Sequence, residues 1–205
     1  MIYNHSEEEP NEPEETCGEP FGTGDDEDPL VGLIGEITEA AAQQVAVMLL
    51  ALNGNTLRHT EPAPDERPGD IEFLISSSGG SISEMFAIYD LMTLVKRRRD
   101  IATFGYGKIA SAAVPLLAAG TPGKRYIAKH ARIMLHHCSS HSAGPVPNVR
   151  SNYNELKKVE EMMVQTLADH SKLSAGEIYN ILSRNTDEYF SAEEALEMGI
   201  VDKII

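Results

Sequence analysis

The chain has 205 residues, with 32 Asp and Glu against 17 Lys and Arg, and a formal net charge of −15. This length suits one domain with a sizeable core, and the acidic balance argues against nucleic-acid binding. Two cysteines far apart in sequence make no disulfide framework, and no apolar run or leader-like start predicts a membrane span or a targeting segment. We therefore expect a cytoplasmic protein without membrane association.

Residues 1–28 form the first distinct segment. They hold eleven acidic residues and no Lys or Arg, with prolines and glycines interspersed. Such a composition buries too little apolar surface to repay the entropy of ordering. We predict an acidic, disordered or weakly ordered segment over 1–28 and a folded domain over 29–205.

The folded domain begins with a short predicted strand and a helix. The apolar side of this helix includes Ala41, Val45, Met48 and Leu49. The polar, turn-rich run 53–70 that follows predicts a surface loop.

A paired glycine follows the next predicted strand. The strand runs from Ile71 to about Ser76, and Gly79 and Gly80 then precede a helix. The apolar positions of that helix are Met85, Ile88, Met92 and Val95. Paired glycines let backbone N–H groups approach a ligand closely, although they also serve simply to turn the chain.

Ser111 stands where a strand gives way to a helix. The run 101–107 predicts a buried strand that breaks at two glycines, and Pro115 requires the helix to begin no earlier than about Ala112. A serine at this junction has unpaired helix N–H groups beside it, which suits a nucleophile that creates an oxyanion. A serine that merely caps a buried helix is the alternative.

Two histidines follow a third short strand, Arg132 to Leu135. His136 continues the strand directly, which favours it over His137 as a catalytic imidazole. A hydrogen-bonded structural histidine is one alternative. A metal site is another, and its candidate ligands are His136, His137, Cys138 and His141, whose spacing matches no common zinc pattern. Nothing near Cys138 in sequence indicates the lowered pKa of a thiol nucleophile.

A long helix and a capped helix complete the chain. The long helix spans about 148–170, with apolar residues at near-helical period, and its length predicts that it projects or packs against a neighbour. Ser191 and Glu194 form a capping box, Gly199 ends that helix, and 200–205 predicts a closing strand. Asp187 precedes the cap in a polar loop from which it can reach a histidine, with Glu188 as the other candidate carboxylate.

From Leu30 to Ile205 the chain resembles ClpP, the proteolytic subunit of the Clp protease. It has that family's GGxI turn, ASxxxxLLAAG helix, xRxMxH strand, long helix and D-(x)3-SAEEA-(x)3-G-x-VD ending, in that order. The resemblance implies an α/β fold of the ClpP/crotonase kind, built from repeated β-β-α crossover units with a projecting handle helix. It implies a serine endopeptidase that needs no cofactor and no metal.

The resemblance also implies a role for each matching residue. Ser111 matches the family's nucleophile, His136 its general base and Asp187 the carboxylate that orients the imidazole. The backbone N–H groups of Gly80 and Ala112 match the oxyanion hole.

At the level of assembly, the resemblance implies a homo-oligomeric heptameric ring, single or doubled, that receives polypeptide substrates from a Clp-type ATPase. Three positions depart from the family pattern. Ser78 replaces a proline before the glycines, His137 and Cys138 replace Gln-Pro, and Thr186 replaces an arginine. These changes affect the walls of the substrate groove and the contacts between rings, and they spare the three catalytic positions.

Three other functions stay open. A non-catalytic ring subunit or scaffold does not require Ser111, His136 and Asp187, so their presence disfavours it. A crotonase-like acyl-CoA enzyme leaves the serine and the histidine without a purpose. A procapsid-processing protease of viral type is a variant of the peptidase that the residues do not separate from it.

Overall fold

The computed structural model describes residues 28–57, 68–184 and 186–205. The strands in these ranges are β1 (Leu30–Ile37), β2 (Ile71–Gly80), β3 (Ile101–Ala110), β4 (Arg125–Ile127), β5 (Arg132–Leu135), β6 (Glu188–Phe190) and β7 (Lys203–Ile204). The helices are α1 (Glu39–Leu52), α2 (Ile82–Val95), α3 (Ala113–Ala118), α4 (Val146–Asp169), α5 (Ala175–Leu182) and α6 (Ala192–Glu197). The predictions for the acidic segment, apart from Asp28, and for 58–67 of the polar loop lie outside the described residues.

One sheet organises these elements. Its strands follow the order β1-β2-β3-β4-β7 and all pair in parallel, while β5 pairs in parallel with β3 and antiparallel with β6. Parallel neighbours need crossover connections, and α1, α2 and α3 lie between successive strands of the sheet. The predicted α/β fold is confirmed.

The core lies between the sheet and the helices. In β1, Val31 and Leu33 are buried while Gly32 between them is exposed, as expected of a strand covered on one face. All four predicted apolar positions of α2 are fully buried, namely Met85, Ile88, Met92 and Val95. Each such side chain contributes roughly 1.5–3 kcal/mol of hydrophobic stabilisation.

Strands β2 and β3 are longer than predicted from the positions of their glycines. We expected β2 to end near Ser76 and β3 near Gly107, but they reach Gly80 and Ala110. The β2–β3 register shifts beyond Ile75, and Gly107 has φ +63°. Glycine at a positive φ permits a bulge inside a strand, so these glycines bend the strands without ending them.

Helix α4 projects from the domain, as predicted. Its buried residues are Met163, Val164, Thr166 and Leu167, which all belong to its carboxyl-terminal third. Of the predicted apolar positions nearer its start, Tyr153 is 60% exposed. The first half of α4 therefore extends beyond the core, and we call α4 the handle helix.

The carboxyl-terminal elements follow the sequence closely. The capping box of Ser191 and Glu194 is present, and Gly199 ends the helix with φ +70°. The closing strand is shorter than predicted, because Ile200 and Val201 are buried in the turn after α6 and only β7 pairs with the sheet. In the part of the chain that the structure describes, no helix is both long and apolar enough to cross a lipid bilayer.

Candidate active site

Ser111 lies at the carboxyl end of β3, in the turn before α3. Its φ of +55° is in the left-handed region, which is uncommon for a residue other than glycine and costs free energy wherever the surroundings impose it. The Ser111 N–H donates to the Met134 carbonyl at 2.8 Å, which fixes the turn beside β5. Ala112 occupies the N-cap position of α3 without a side-chain cap, so Ser111 is not the capping residue of this helix.

The paired glycines pack against this turn. A Cβ on Gly79 would lie 2.6 Å from the Ala110 carbonyl oxygen, 2.7 Å from Ser111 Cβ and 3.0 Å from the Ala112 nitrogen. A Cβ on Gly80 would instead meet the Ile37 carbonyl oxygen at 2.5 Å. Gly79 is therefore the residue that lets β2 approach the serine. From sequence, Gly79 was indicated only as one member of a glycine pair and had no separate predicted role.

His136 and Asp187 meet through the pairing of β5 with β6. Leu135 pairs with Glu188 in antiparallel register, and His136 and Asp187 are the next residues along the chain beyond this last pair. The His136 Nδ1 lies 3.5 Å from Asp187 Oδ1, within ion-pair distance and longer than the about 2.7–3.2 Å of an N–H···O hydrogen bond. The structure thus brings together the predicted histidine and the predicted carboxylate.

Glu188, the other candidate carboxylate, has different partners. It accepts hydrogen bonds from Arg184 Nη1 at 2.7 Å and from the Thr186 hydroxyl at 2.8 Å. These bonds, first that of Thr186 and then that of Arg184, lower the pKa of Glu188. Neighbouring residues of a strand point to opposite faces, which explains why Asp187 and Glu188 do not share a partner.

A cleft of about 510 Å³ connects these elements. The wall of this cleft includes Ser111, His136, Gly79 and Gly80. The rest of its lining includes Glu36, Ser78, Ser81, Ile82, Ser83, Cys138, Ser139, Ser140, Asn152, Glu155, Leu156 and Val159. The cleft therefore runs from the glycine turn to the exposed half of the handle helix, with the serine and the histidine on its wall.

The residues after His136 contact the handle helix. His137 Nδ1 lies 2.9 Å from Glu160 Oε1, so His136 and His137 face different carboxylates. Burial, together with the nearby Glu160 carboxylate, raises the pKa of the Cys138 thiol to about 12, which agrees with the expectation that Cys138 is not a thiolate nucleophile. Across the described ranges, no group of three or more His, Cys, Asp or Glu side chains is arranged to bind a metal ion.

A mainly parallel sheet whose strand ends bring a serine and a histidine to one cleft, with a carboxylate beside that histidine, is typical of a serine hydrolase. The chain belongs to the Clp protease family, whose model matches residues 26–205. It is 36% identical over 181 residues to ATP-dependent Clp protease proteolytic subunit 1 of Tropheryma whipplei, which covers 87% of this chain and 81% of the relative.

Other relatives give the same result. Proteolytic subunit 2 of Corynebacterium jeikeium is 36% identical over 179 residues, with 87% of this chain and 79% of the relative covered. Proteolytic subunit 3 of Frankia casuarinae is 37% identical over 176 residues, with 86% and 76% covered. The predicted membership in this family of serine peptidases is confirmed.

Proposed function

We propose that this chain is a serine endopeptidase with Ser111 as nucleophile, His136 as general base and Asp187 as the orienting carboxylate. One observation supports the proposal above others. The Ser111 turn and His136 line the same cleft, while Asp187 Oδ1 lies 3.5 Å from the imidazole Nδ1 of His136. This order of groups is the one that proton transfer from a serine requires.

The chemistry proceeds in two halves. His136 Nε2 takes the Ser111 proton as Oγ attacks the peptide carbonyl, and the imidazolium then gives that proton to the leaving amine. The ester on Ser111 is next hydrolysed by water, which His136 activates in the same way. Asp187 holds the Nδ1 proton in place and stabilises the imidazolium in both halves.

The oxyanion of each tetrahedral intermediate needs hydrogen-bond donors, and we assign this role to the N–H groups of Gly80 and Ala112. Ala112 directly follows the nucleophile, and the close approach of Gly79 to the Ala112 nitrogen brings the end of β2 beside it. A single donor of this kind typically contributes about 10²- to 10³-fold to kcat.

The assembly is part of the same proposal. Seven copies form a ring, single or doubled, and a Clp-type ATPase delivers polypeptides to the enclosed serines in the cytoplasm. The projecting handle helix supports this, because Val146, Tyr153 and Met162 leave apolar surface exposed along it. The names of the relatives, which call them proteolytic subunits of an ATP-dependent protease, support the partner ATPase.

Active-site labelling tests the proposal. A fluorophosphonate reacts with an activated serine, and intact mass counts the adducts. We expect one adduct on the wild type, none on Ser111→Ala, much slower labelling of His136→Ala, and unchanged labelling of Ser151→Ala, whose serine is exposed on the handle helix. A labelled Ser111→Ala would overturn the assignment, and an unlabelled wild type that is folded and assembled would favour the scaffold function.

A further inference from the structure

We propose that Glu160 of the handle helix is a positioning residue for His136, acting through the two residues that follow it, His137 and Cys138. The inference rests on the proposed function, because it concerns the placement of the general base. It adds to that function a contact that the catalytic triad itself does not contain.

A single carboxylate oxygen makes both contacts. His137 donates from Nδ1 to Glu160 Oε1 at 2.9 Å, and the Cys138 backbone N–H donates to the same oxygen at 3.0 Å. One bond thus restrains a side chain and the other restrains the main chain. The Glu160 side chain is only 18% exposed, so water competes weakly for these bonds.

The charge on Glu160 strengthens the contact. Burial works to raise the pKa of Glu160, but the hydrogen bonds from His137 and from the Cys138 N–H, with the charge on His137, together lower it. The carboxylate is therefore ionised at neutral pH and has no proton to donate, so the hydrogen of this bond is on His137 Nδ1. Hydrogen bonds to an ionised acceptor are shorter and stronger than neutral ones.

The place of His136 in the chain explains why this contact matters. Strand β5 ends at Leu135, so His136 lies just beyond the last residue that the sheet pairs. The residue before His136 belongs to β5. The two residues after it, His137 and Cys138, are hydrogen-bonded to Glu160. The imidazole is therefore positioned from the sheet and from the handle helix together.

A second contact ties the same segment to the handle helix. Asn152 Nδ2 donates to the Ser142 hydroxyl oxygen at 2.9 Å. At about 1.5 Å of rise per residue, Asn152 and Glu160 lie about 12 Å apart along α4. The segment after His136 therefore follows the helix, and Glu160 makes the contact closer to the base.

Loss of the Glu160 contacts has a defined consequence for chemistry. A displacement of the base by about 1 Å reduces turnover by up to about 10²-fold, because proton transfer needs aligned atoms. Cys138 is part of the cleft wall, but the glycine turn on the opposite wall has no hydrogen bond to Glu160, so KM is expected to change less than kcat. A general loss of structure would instead affect assembly, unfolding temperature and activity together.

The experiment compares Glu160→Ala, Glu160→Gln and Glu161→Ala, the last an exposed neighbour on the same helix, in the full-length assembled protein. The readouts are the rate of fluorophosphonate reaction at Ser111, and kcat and KM for a short fluorogenic peptide. Light scattering and thermal unfolding accompany each variant. We expect Glu160→Ala to slow acylation and kcat on the order of 10- to 100-fold with KM changed less than about threefold.

Glu160→Gln should regain most of the lost rate, since both bonds use one oxygen that the amide retains, and Glu161→Ala should match the wild type. Acylation at the wild-type rate by a folded Glu160→Ala, or a Glu160→Gln variant that is no faster than Glu160→Ala, would overturn the inference.

If Glu160→Ala fails to assemble, His137→Ala serves as the second variant, because it removes only the side-chain bond. We expect His137→Ala to slow acylation several-fold, and acylation at the wild-type rate would overturn the inference. If the wild type itself does not react at Ser111, the proposed function fails; if only these variants behave as wild type, this inference alone fails.

Discussion

Asp187 and His136 lie directly beyond the last residue pair of β5 and β6, Leu135 with Glu188, and 3.5 Å separates Asp187 Oδ1 from His136 Nδ1. The same register turns Glu188 toward Arg184 and Thr186. The pairing of β5 with β6 therefore decides which of the two neighbouring carboxylates, Asp187 or Glu188, lies beside the His136 imidazole.

Asp187→Asn is expected to lower kcat on the order of 10²- to 10⁴-fold, because an amide stabilises the imidazolium poorly and favours the wrong tautomer of the imidazole. Steady-state hydrolysis of a fluorogenic peptide measures this. Glu188→Gln is the matched control and is expected to stay near the wild-type kcat. Equal losses in the two variants would show that Asp187 has no special relation to His136.

Gly79→Ala is expected to abolish labelling of Ser111 by a fluorophosphonate. The added Cβ would come within 2.7 Å of Ser111 Cβ and 2.6 Å of the Ala110 carbonyl oxygen, so the nucleophile turn must move. Gly123→Ala is the control, since Gly123 also has a positive φ, +87°, but open space around its Cβ position. Full labelling of Gly79→Ala would mean that the turn tolerates displacement and that close packing of β2 is not required.

The exposed apolar surface of the handle helix predicts self-association. Val146 and Tyr153 are 70% and 60% exposed and lie seven residues apart, hence on one face of the helix. Size-exclusion chromatography with light scattering is expected to give a mass of at least one heptamer for the wild type and a smaller assembly for Tyr153→Asp. Lys158→Ser, at an exposed position five residues after Tyr153 and therefore off that face, should leave the mass unchanged. A wild type found only as monomer would contradict the ring.

His170 predicts a pH dependence of stability. It lies at the end of the handle helix, with Nε2 2.9 Å from the Tyr89 hydroxyl, and burial, followed by the charge on Lys96, lowers its pKa from 6.5. Below about pH 6.5 the His170 imidazole is therefore protonated in the unfolded chain, while in the folded chain it stays neutral down to its lowered pKa. The free energy of unfolding should fall as the pH drops from 6.5 toward the lowered pKa.

Urea denaturation at pH 7.5 and pH 5.5 measures this effect. Because His170 is only half-buried, the slope should stay below the limit of about 1.4 kcal/mol per pH unit for one proton. His170→Gln is expected to show a flatter dependence over the same interval. An unchanged slope in that variant would assign the pH dependence to other groups.

Much of the local structure follows from the sequence. The buried face of α2 and the capping box of Ser191 and Glu194 were predictable, because they depend on residues three or four positions apart. The ends of β2 and β3 were predicted too early, because a glycine at positive φ has the same sequence signature whether it ends a strand or bends it. Glu160 gave no signal, since its partners are 22 and 23 residues away.

The sequence by itself determined the kinds of element, their order, the residue types of the candidate site and the resemblance to the Clp protease family, because periodicity, capping and motif spacing are local properties. Only the tertiary structure decided which atoms meet. It brought Asp187 rather than Glu188 to His136, bound His137 to the handle helix and packed Gly79 against the Ser111 turn. A shift of one residue in strand pairing moves every side chain to the opposite face, so these contacts depend on long-range register.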